Sequence, residues 1–146
     1  MKKILLLTII LISFGCSNKF YLNESYYKKA EIIKIDQDEY NRLVNSEETF
    51  IIFISALLCP AVTDFRDIIN EFTINNNLTI YEINFENIKE TNLDKKVKYY
   101  PSVAIIKKGK VVRYLDADSK KDKECYESIS GLEECLGKYI YLNNNA

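Results

Sequence analysis

The chain has 146 residues, 47% of them apolar, with 4 Gly, 2 Pro and neither His nor Trp, and its 20 basic and 21 acidic residues give a formal charge of −1. That composition fits one globular domain and excludes collagen-like, disordered and multidomain organisation. Without imidazole there is no Ser-His-Asp or Cys-His dyad and no helical His metal motif, and the interspersed charges build no basic face for a phosphate backbone, so nucleic acid is not expected as a partner.

Lys2 and Lys3 precede the apolar run Ile4–Ile12, which ends in Ser13-Phe14-Gly15-Cys16. The run is too short to cross a hydrocarbon layer about 30 Å thick, and polar Ser17-Asn18-Lys19 follows it, so it reads as a secretory signal. Its end resembles the lipobox of bacterial lipoproteins, in which cleavage precedes a cysteine that then carries lipid; Ser13 and Phe14 depart from the usual Leu and small residue. The resemblance implies a signal peptide over residues 1–15, lipid on Cys16, and an extracytoplasmic, mildly acidic chain held to a membrane. The alternative is an ordinary leader in which Cys16 carries nothing. Residues 16–29 read as lipidated cysteine and tether, with Phe20, Tyr21, Tyr26 and Tyr27 open to packing on the domain or on lipid headgroups.

From Ala30 the periodicity alternates between strand and helix. Glu31–Ile35 reads as a strand, and Asp36 with Glu39 three residues on is a capping box opening a helix over Gln37–Asn45. Thr49–Ser55 is a continuous apolar run, as expected of a central strand buried on both faces. After Cys59 and Pro60, the residues Val62, Phe65, Ile68, Ile69 and Phe72 recur at helical spacing until Asn75-Asn76-Asn77. Leu78–Phe85 reads as a strand, Asn87–Val97 as a weak polar helix, and Ser102–Lys107 as a strand introduced by Pro101. Lys108-Gly109-Lys110 then turns the chain into Val111–Leu115 as a hairpin. Ser130 and Glu133 make a second capping box, with Leu132, Leu136, Tyr139 and Ile140 on one face of a last helix. This order predicts an α/β fold over residues 30–142, a central mixed sheet of about five strands with helices on both faces, and a tail over 143–146.

A buried strand running into Ser55-Ala56-Leu57-Leu58-Cys59, a cysteine opening a long helix, Tyr99-Tyr100-Pro101 ahead of a strand, and the Lys-Lys-Gly-Lys-Val-Val hairpin together resemble the thioredoxin family. The similarity covers residues 30–142. It implies a thioredoxin-like fold, a cis Pro101 facing Cys59, and a Tyr100 that pairs with substrate backbone. Where that family carries Cys-x-x-Cys, this chain has Cys59-Pro60-Ala61-Val62, so the resolving thiol is missing. The family's buried acid falls on Phe53 and its two tryptophans on Ser55 and Leu58. Taking Cys59 as the second cysteine instead puts Ala56 first and misaligns the apolar face of the helix.

Pro60 belongs at the first helical position, which places Cys59 at or beside the N-cap, where unpaired N–H groups and the helix dipole stabilise a thiolate. Its apolar neighbours Leu57, Leu58, Ala61 and Val62 act in the opposite direction through desolvation. A lone thiol stalls at the mixed disulfide unless an outside thiol releases it. The residues thus support at most a single-cysteine exchange protein, with Cys59 reacting and Tyr100 and Pro101 holding a thiol-bearing or extended peptide client. The alternative is a redox-silent binding or scaffold module in which Cys59 is a small apolar filler. No metal or cofactor is called for.

Cys125 and Cys135 remain. Outside the cytoplasm a left-over pair is most simply a structural disulfide. Unbroken helix would hold two residues ten apart at about 15 Å, so a bridge needs a break, which Ser128-Ile129-Ser130-Gly131 offers. A resolving role toward Cys59 is the other reading of the pair.

Overall fold

The computed structural model describes residues 18–143. The signal peptide expected over 1–15, the lipid-bearing Cys16 and the last three residues of the tail lie outside that range. The strands are β1 (Glu31–Ile35), β2 (Phe50–Ser55), β3 (Thr79–Asn84), β4 (Ser102–Lys107) and β5 (Lys110–Asp116), and the helices are α1 (Gln37–Asn45), α2 (Pro60–Asn75) and α3 (Ile129–Gly137). Short 3₁₀ turns occupy Glu24–Tyr27, Phe85–Ile88 and Lys123–Tyr126.

The sheet order is β1-β3-β2-β4-β5. β1, β3 and β2 are mutually parallel, and the β4–β5 hairpin adds antiparallel to β2. All six residues of β2 are buried, because its alternate side chains meet helices on opposite faces. Phe50 packs edge-on against Tyr40 of α1 at 6.1 Å, while Phe53, on the other face, packs edge-on against Phe65 of α2 at 5.6 Å. α3 shares the α2 face, where Asn76 at the end of α2 donates to Glu133 of α3 at 3.0 Å. The architecture is the mixed five-stranded sheet with helices on both faces that the alternation of periods implies.

Local chemistry sets the element ends. Asp36 accepts from the Glu39 amide at 2.9 Å and caps α1, but the Glu39 carboxylate turns to Arg42 instead of closing the box. The β4–β5 turn needs Gly109: its φ is +71°, and a Cβ there would lie 2.3 Å from the Val44 carbonyl oxygen at the end of α1.

Three expectations are corrected. Asn87–Val97 forms no α-helix. Asn84 caps a single 3₁₀ turn, accepting from the Glu86 amide at 2.9 Å, Glu90 takes a positive φ of 64°, and irregular turns follow. The buried residues there, Ile88, Leu93 and Val97, are spaced five and four apart and make no single helical stripe. Second, the cap of α3 is Ser128, which accepts from the Gly131 amide at 3.0 Å, and not Ser130. Gly131 lies inside the helix, where a Cβ would fall 2.0 Å from the Glu124 carbonyl oxygen; its absence lets the helix start press onto the preceding 3₁₀ turn. The break between Cys125 and Cys135 thus falls at Glu127 and Ser128. α3 also ends at Gly137, so Tyr139 and Ile140 lie beyond it.

Third, the segment expected to be a tether is part of the domain from Phe20 onward. The Phe20 amide donates to the Tyr139 carbonyl and the Phe20 carbonyl accepts from the Tyr141 amide, both at 3.0 Å, and Asn23 exchanges two hydrogen bonds with Thr49. Leu22 and Tyr26 are buried, with the Tyr26 ring against both Phe50 and Tyr81. Of the two fates open to these aromatics, packing on the domain is the one realised by Phe20, Tyr26 and Tyr27.

Cys125 and Cys135 form a disulfide, with their Cα atoms 5.8 Å apart, that ties the 3₁₀ turn Lys123–Tyr126 to α3. Closing so short a loop in the unfolded chain is worth about 2–3 kcal/mol. The double substitution Cys125→Ser with Cys135→Ser is expected to lower the urea-unfolding free energy by about that amount with the slope little changed. An unchanged midpoint would contradict this account.

Candidate thiol site

The last register pair of β2 with β4 is Ile54 with Ser102. The chain therefore leaves β2 toward Cys59 at the same sheet end at which it enters β4 from Tyr99-Tyr100-Pro101. That adjacency, set by antiparallel register, is what brings segments some forty residues apart to one rim. The Tyr100–Pro101 peptide is cis and Pro101 is buried. Ser102 Oγ donates to the Tyr99 carbonyl at 2.5 Å and lies 3.2 Å from Tyr114 Oη, holding the turn. Behind it, Tyr126 Oη donates to the Leu115 carbonyl at 2.5 Å and accepts from the Val103 amide at 3.1 Å. Burial pushes the Tyr126 phenol far up, so it stays a neutral donor.

Cys59 is the N-cap of α2 and Pro60 occupies the first turn. The Cys59 carbonyl accepts from the Val62 and Thr63 amides, each at 3.1 Å, while its side chain makes no capping bond. The thiol is half-buried, and among the described residues it is the free cysteine. Cys125 and Cys135 are paired with each other, which leaves neither as a resolving partner for Cys59. Val62, at the place where a second thiol would stand, is 4% exposed and part of the core.

The rim around Cys59 is apolar and open. Leu57 is 81% and Leu58 102% exposed, with Tyr99 and Tyr100 also at the surface. Leu58 has a φ of +56°, a left-handed conformation that costs a leucine about 1–2 kcal/mol and turns the chain from the strand into the cap. The Tyr100 ring sits 5.0 Å from Phe85. Ala56, Leu57, Asn84, Phe85, Glu86 and Tyr100 line a cleft of about 180 Å³. Leu57 and Asn84 also border a second cleft, of about 200 Å³, that leads to Lys34, Ser55 and Glu82. The structure thus gathers Tyr100 and Pro101 with the loop that precedes Cys59.

One part of the site escaped sequence reading. Glu82 of β3 stands in register with Phe53, the position at which a buried acid is missing. It is 4% exposed, its two oxygens take both Arg66 terminal nitrogens at 2.9 and 2.6 Å, and Ser55 Oγ donates to it at 2.7 Å. Arg66 also lies over the Phe53 ring at 5.4 Å. Burial pushes the Glu82 carboxyl up, but the hydrogen bonds from Arg66 and Ser55 outweigh it and hold the group below the usual carboxylate range. The hydrogen bonds to Glu82 raise Arg66 in turn. The carboxylate is therefore committed to an ion pair and is no ready proton acceptor. Its only signal in sequence was that Glu82 is the one charged residue of the Leu78–Phe85 strand run. Among the described residues no group of His, Cys, Asp and Glu is placed to hold a metal, and no helix is long and apolar enough to cross a membrane.

Comparison with known proteins places this geometry. The thioredoxin family model matches residues 24–128. No curated protein matches the chain. A thioredoxin pre-protein from Schistosoma mansoni superposes with a TM-score of 0.56 at 18% identity, over 75% of this chain and 99% of that one. A variant thioredoxin from Halobacterium salinarum gives 0.59 at 11% identity, over 77% and 93%. The protein Trxlp from Edwardsiella tarda gives 0.53 at 15% identity, over 73% and 98%. At these identities the likeness is one of fold.

The Arg66–Glu82 pair generates a pH-dependent prediction. In the native chain Glu82 titrates below its ordinary value of 4.5, so the pairing stabilises the fold above that pH and is lost as pH falls through the native value. In Arg66→Leu, burial acts on Glu82 without its main counter-charge and raises the carboxyl instead. The substitution is expected to cost about 3 kcal/mol at pH 7, toward the low end for a broken buried pair because part of Arg66 is in water. Denaturant unfolding at a series of pH values should show the gap from the parent chain narrowing on acidification. A gap independent of pH would contradict the assignment.

Proposed function

The chain belongs to the thioredoxin family, and from that premise we propose that it is a monothiol exchange protein of the bacterial cell envelope, anchored by lipid on Cys16 and acting outside the cytoplasm through Cys59. The observation that carries the reading is the position of Cys59: it caps a 16-residue helix, is half-buried, and follows the exposed Leu57 and Leu58, with Tyr99 and Tyr100 exposed at the same end of the sheet. A helix N-terminus favours negative charge on the group that caps it. An extended client segment, laid along the Tyr100–Pro101 turn and the apolar rim, brings a client disulfide to that sulfur.

In the exchange step the Cys59 thiolate attacks one sulfur of a client disulfide. A bond forms between Cys59 and that sulfur as the client S–S bond breaks, and the other client sulfur leaves as a thiolate that takes a proton from water. Val62 supplies no second thiol, so this chain cannot displace the client by itself. A low-molecular-weight or protein thiol from outside attacks the client sulfur and returns Cys59 as the thiolate, and thiols and disulfides balance over the cycle. Phe53 stands in place of a buried acid and Glu82 is held by Arg66, so neither of these positions supplies a proton acceptor. This favours capture over rapid turnover.

The test is alkylation of Cys59 in the folded chain together with its reaction with oxidised glutathione. The expected result is a mixed disulfide at Cys59 that persists until a reductant thiol is added. Val62→Cys is then expected to raise dithiol-driven insulin reduction clearly above that of the parent chain. A Cys59 thiol that stays protected until the domain unfolds would overturn exchange and leave a peptide-holding module, the reading that the apolar Val62 and Phe53 favour.

A further inference from the structure

The molecule has two ends, and the thiol occupies only one of them. β4 runs from Ser102, next to Pro101, to Lys107, whose ammonium lies 4.2 Å from the centre of the Phe20 ring. Five strand steps of about 3.4 Å put the two ends of β4 roughly 17 Å apart. β2 gives the same polarity, since Asn23 bonds to Thr49 ahead of the strand whereas Cys59 follows its end. The segment Phe20–Asn23 therefore closes the pole opposite the thiol rim.

That pole carries an unusual surface. Tyr21 is 67% exposed and stacks on Tyr141 at 4.4 Å, with Tyr27 edge-on to Tyr21 at 6.3 Å. Tyr27 Oη donates to the Tyr141 carbonyl at 2.8 Å and accepts from the Leu22 amide at 3.1 Å, so the aromatic group is held rigid. Lys19 lies over the Tyr141 ring at 6.0 Å. Of the nearby acids, Glu24, Glu31 and Glu134 are ion-paired to Lys28, Lys29 and Lys138. Glu48 accepts the Tyr26 hydroxyl, and Glu47 makes no ion pair among the described residues. Lys19, Lys107 and Lys108 make no ion pair among the described residues. Exposed tyrosines interleaved with lysines match the headgroup layer of a bilayer, where the rings sit among glycerol and carbonyl groups and the ammonium groups meet anionic phosphates.

The length of chain ahead of this surface selects its partner. Cys16 precedes Phe20 by four residues, which span at most about 14 Å when extended. Resting on the lipidation reading above, we infer that the Tyr21–Tyr141 face lies directly on the headgroups of the anchoring membrane and that Cys59 consequently points away from it. The client class follows: disulfides in soluble proteins or in exposed, flexible segments that reach the domain from the aqueous side, and not cysteines within membrane spans.

Because the chain has no Trp, a single introduced indole is a unique reporter. The full lipidated chain is made as Tyr21→Trp and, separately, as Leu58→Trp, and each is reconstituted into phosphatidylethanolamine and phosphatidylglycerol vesicles with brominated acyl chains. The expected result is that both float with the vesicles, while Tyr21→Trp emission is blue-shifted and quenched severalfold more than that of Leu58→Trp. Adding Lys107→Glu and Lys108→Glu to Tyr21→Trp is expected to weaken the quenching. Flotation with equal quenching, or with Leu58→Trp quenched more, would overturn the orientation while leaving the anchor intact. A Tyr21→Trp blue shift that follows protein concentration without bromolipid quenching would assign the face to a second copy and equally overturn it. Chains that stay in the aqueous fraction, with no lipid in the mass of the N-terminal peptide, would overturn both the anchor and the orientation.

Discussion

A strand that is apolar on both faces has one stable place in a protein this size: the middle of a sheet, with helices on either side. Phe50–Ser55 is that strand, and its burial at every position dictates most of what surrounds it. One face needs α1 and the other needs α2 and α3. One edge takes the parallel pair β3 and β1, and the other takes the β4–β5 hairpin. The end of this strand is also the origin of the thiol loop, so the geometry of the site follows from the position of the core.

From that end the chain has four residues in which to turn into α2. Leu58 accomplishes the turn in a left-handed conformation, and Cys59 arrives as the helix cap beside Pro60. Antiparallel register with β4 sets Tyr100 and Pro101 on the same rim. The scaffold for thiol chemistry is thus retained, while two of its usual chemical supports have changed. Val62 fills the resolving position with a buried methyl pair, and Phe53 fills the place of the acid. A carboxylate is still present at the same depth, but it has moved one strand over to Glu82 and is neutralised by Arg66. Exchange through a single sulfur is the chemistry that this combination leaves open.

The opposite pole has a different logic. The residues before β1 have no regular period, yet Phe20, Leu22, Tyr26 and Tyr27 cover the start of β2 and the carboxyl-terminal residues Tyr139 and Tyr141. Covering that end makes the domain longer than its alternating core and leaves little chain between Phe20 and Cys16. On the proposed lipid anchor at Cys16, a short lead into a tyrosine-rich face would restrict how the domain stands on a membrane. Under that proposal an irregular amino-terminal segment would bear on which clients reach a thiol at the far end.

Periodicity by itself determined the strands, the three helices that pack and the class of sheet, because a side chain's face is set by its own spacing along the chain. Asp36 and Pro60 likewise mark their turns through local sterics and hydrogen bonding that need no distant partner, and Gly109 marks its turn through its positive φ, although the Val44 carbonyl pressed against it comes from a distant helix. The polar stretch 87–97 lacked such a stripe, and tertiary contacts to Ile88, Leu93 and Val97 decided its irregular path. The start of α3 was decided by the approach of Gly131 to the Glu124 carbonyl, a contact that Ser130 and Glu133 do not announce. The Ser55–Glu82–Arg66 cluster and the attachment of Phe20 to Ile140 likewise existed only once strands and helices far apart in sequence had come together. Charge pairing and edge covering are properties of neighbours in space, and spacing along one chain carries no record of them.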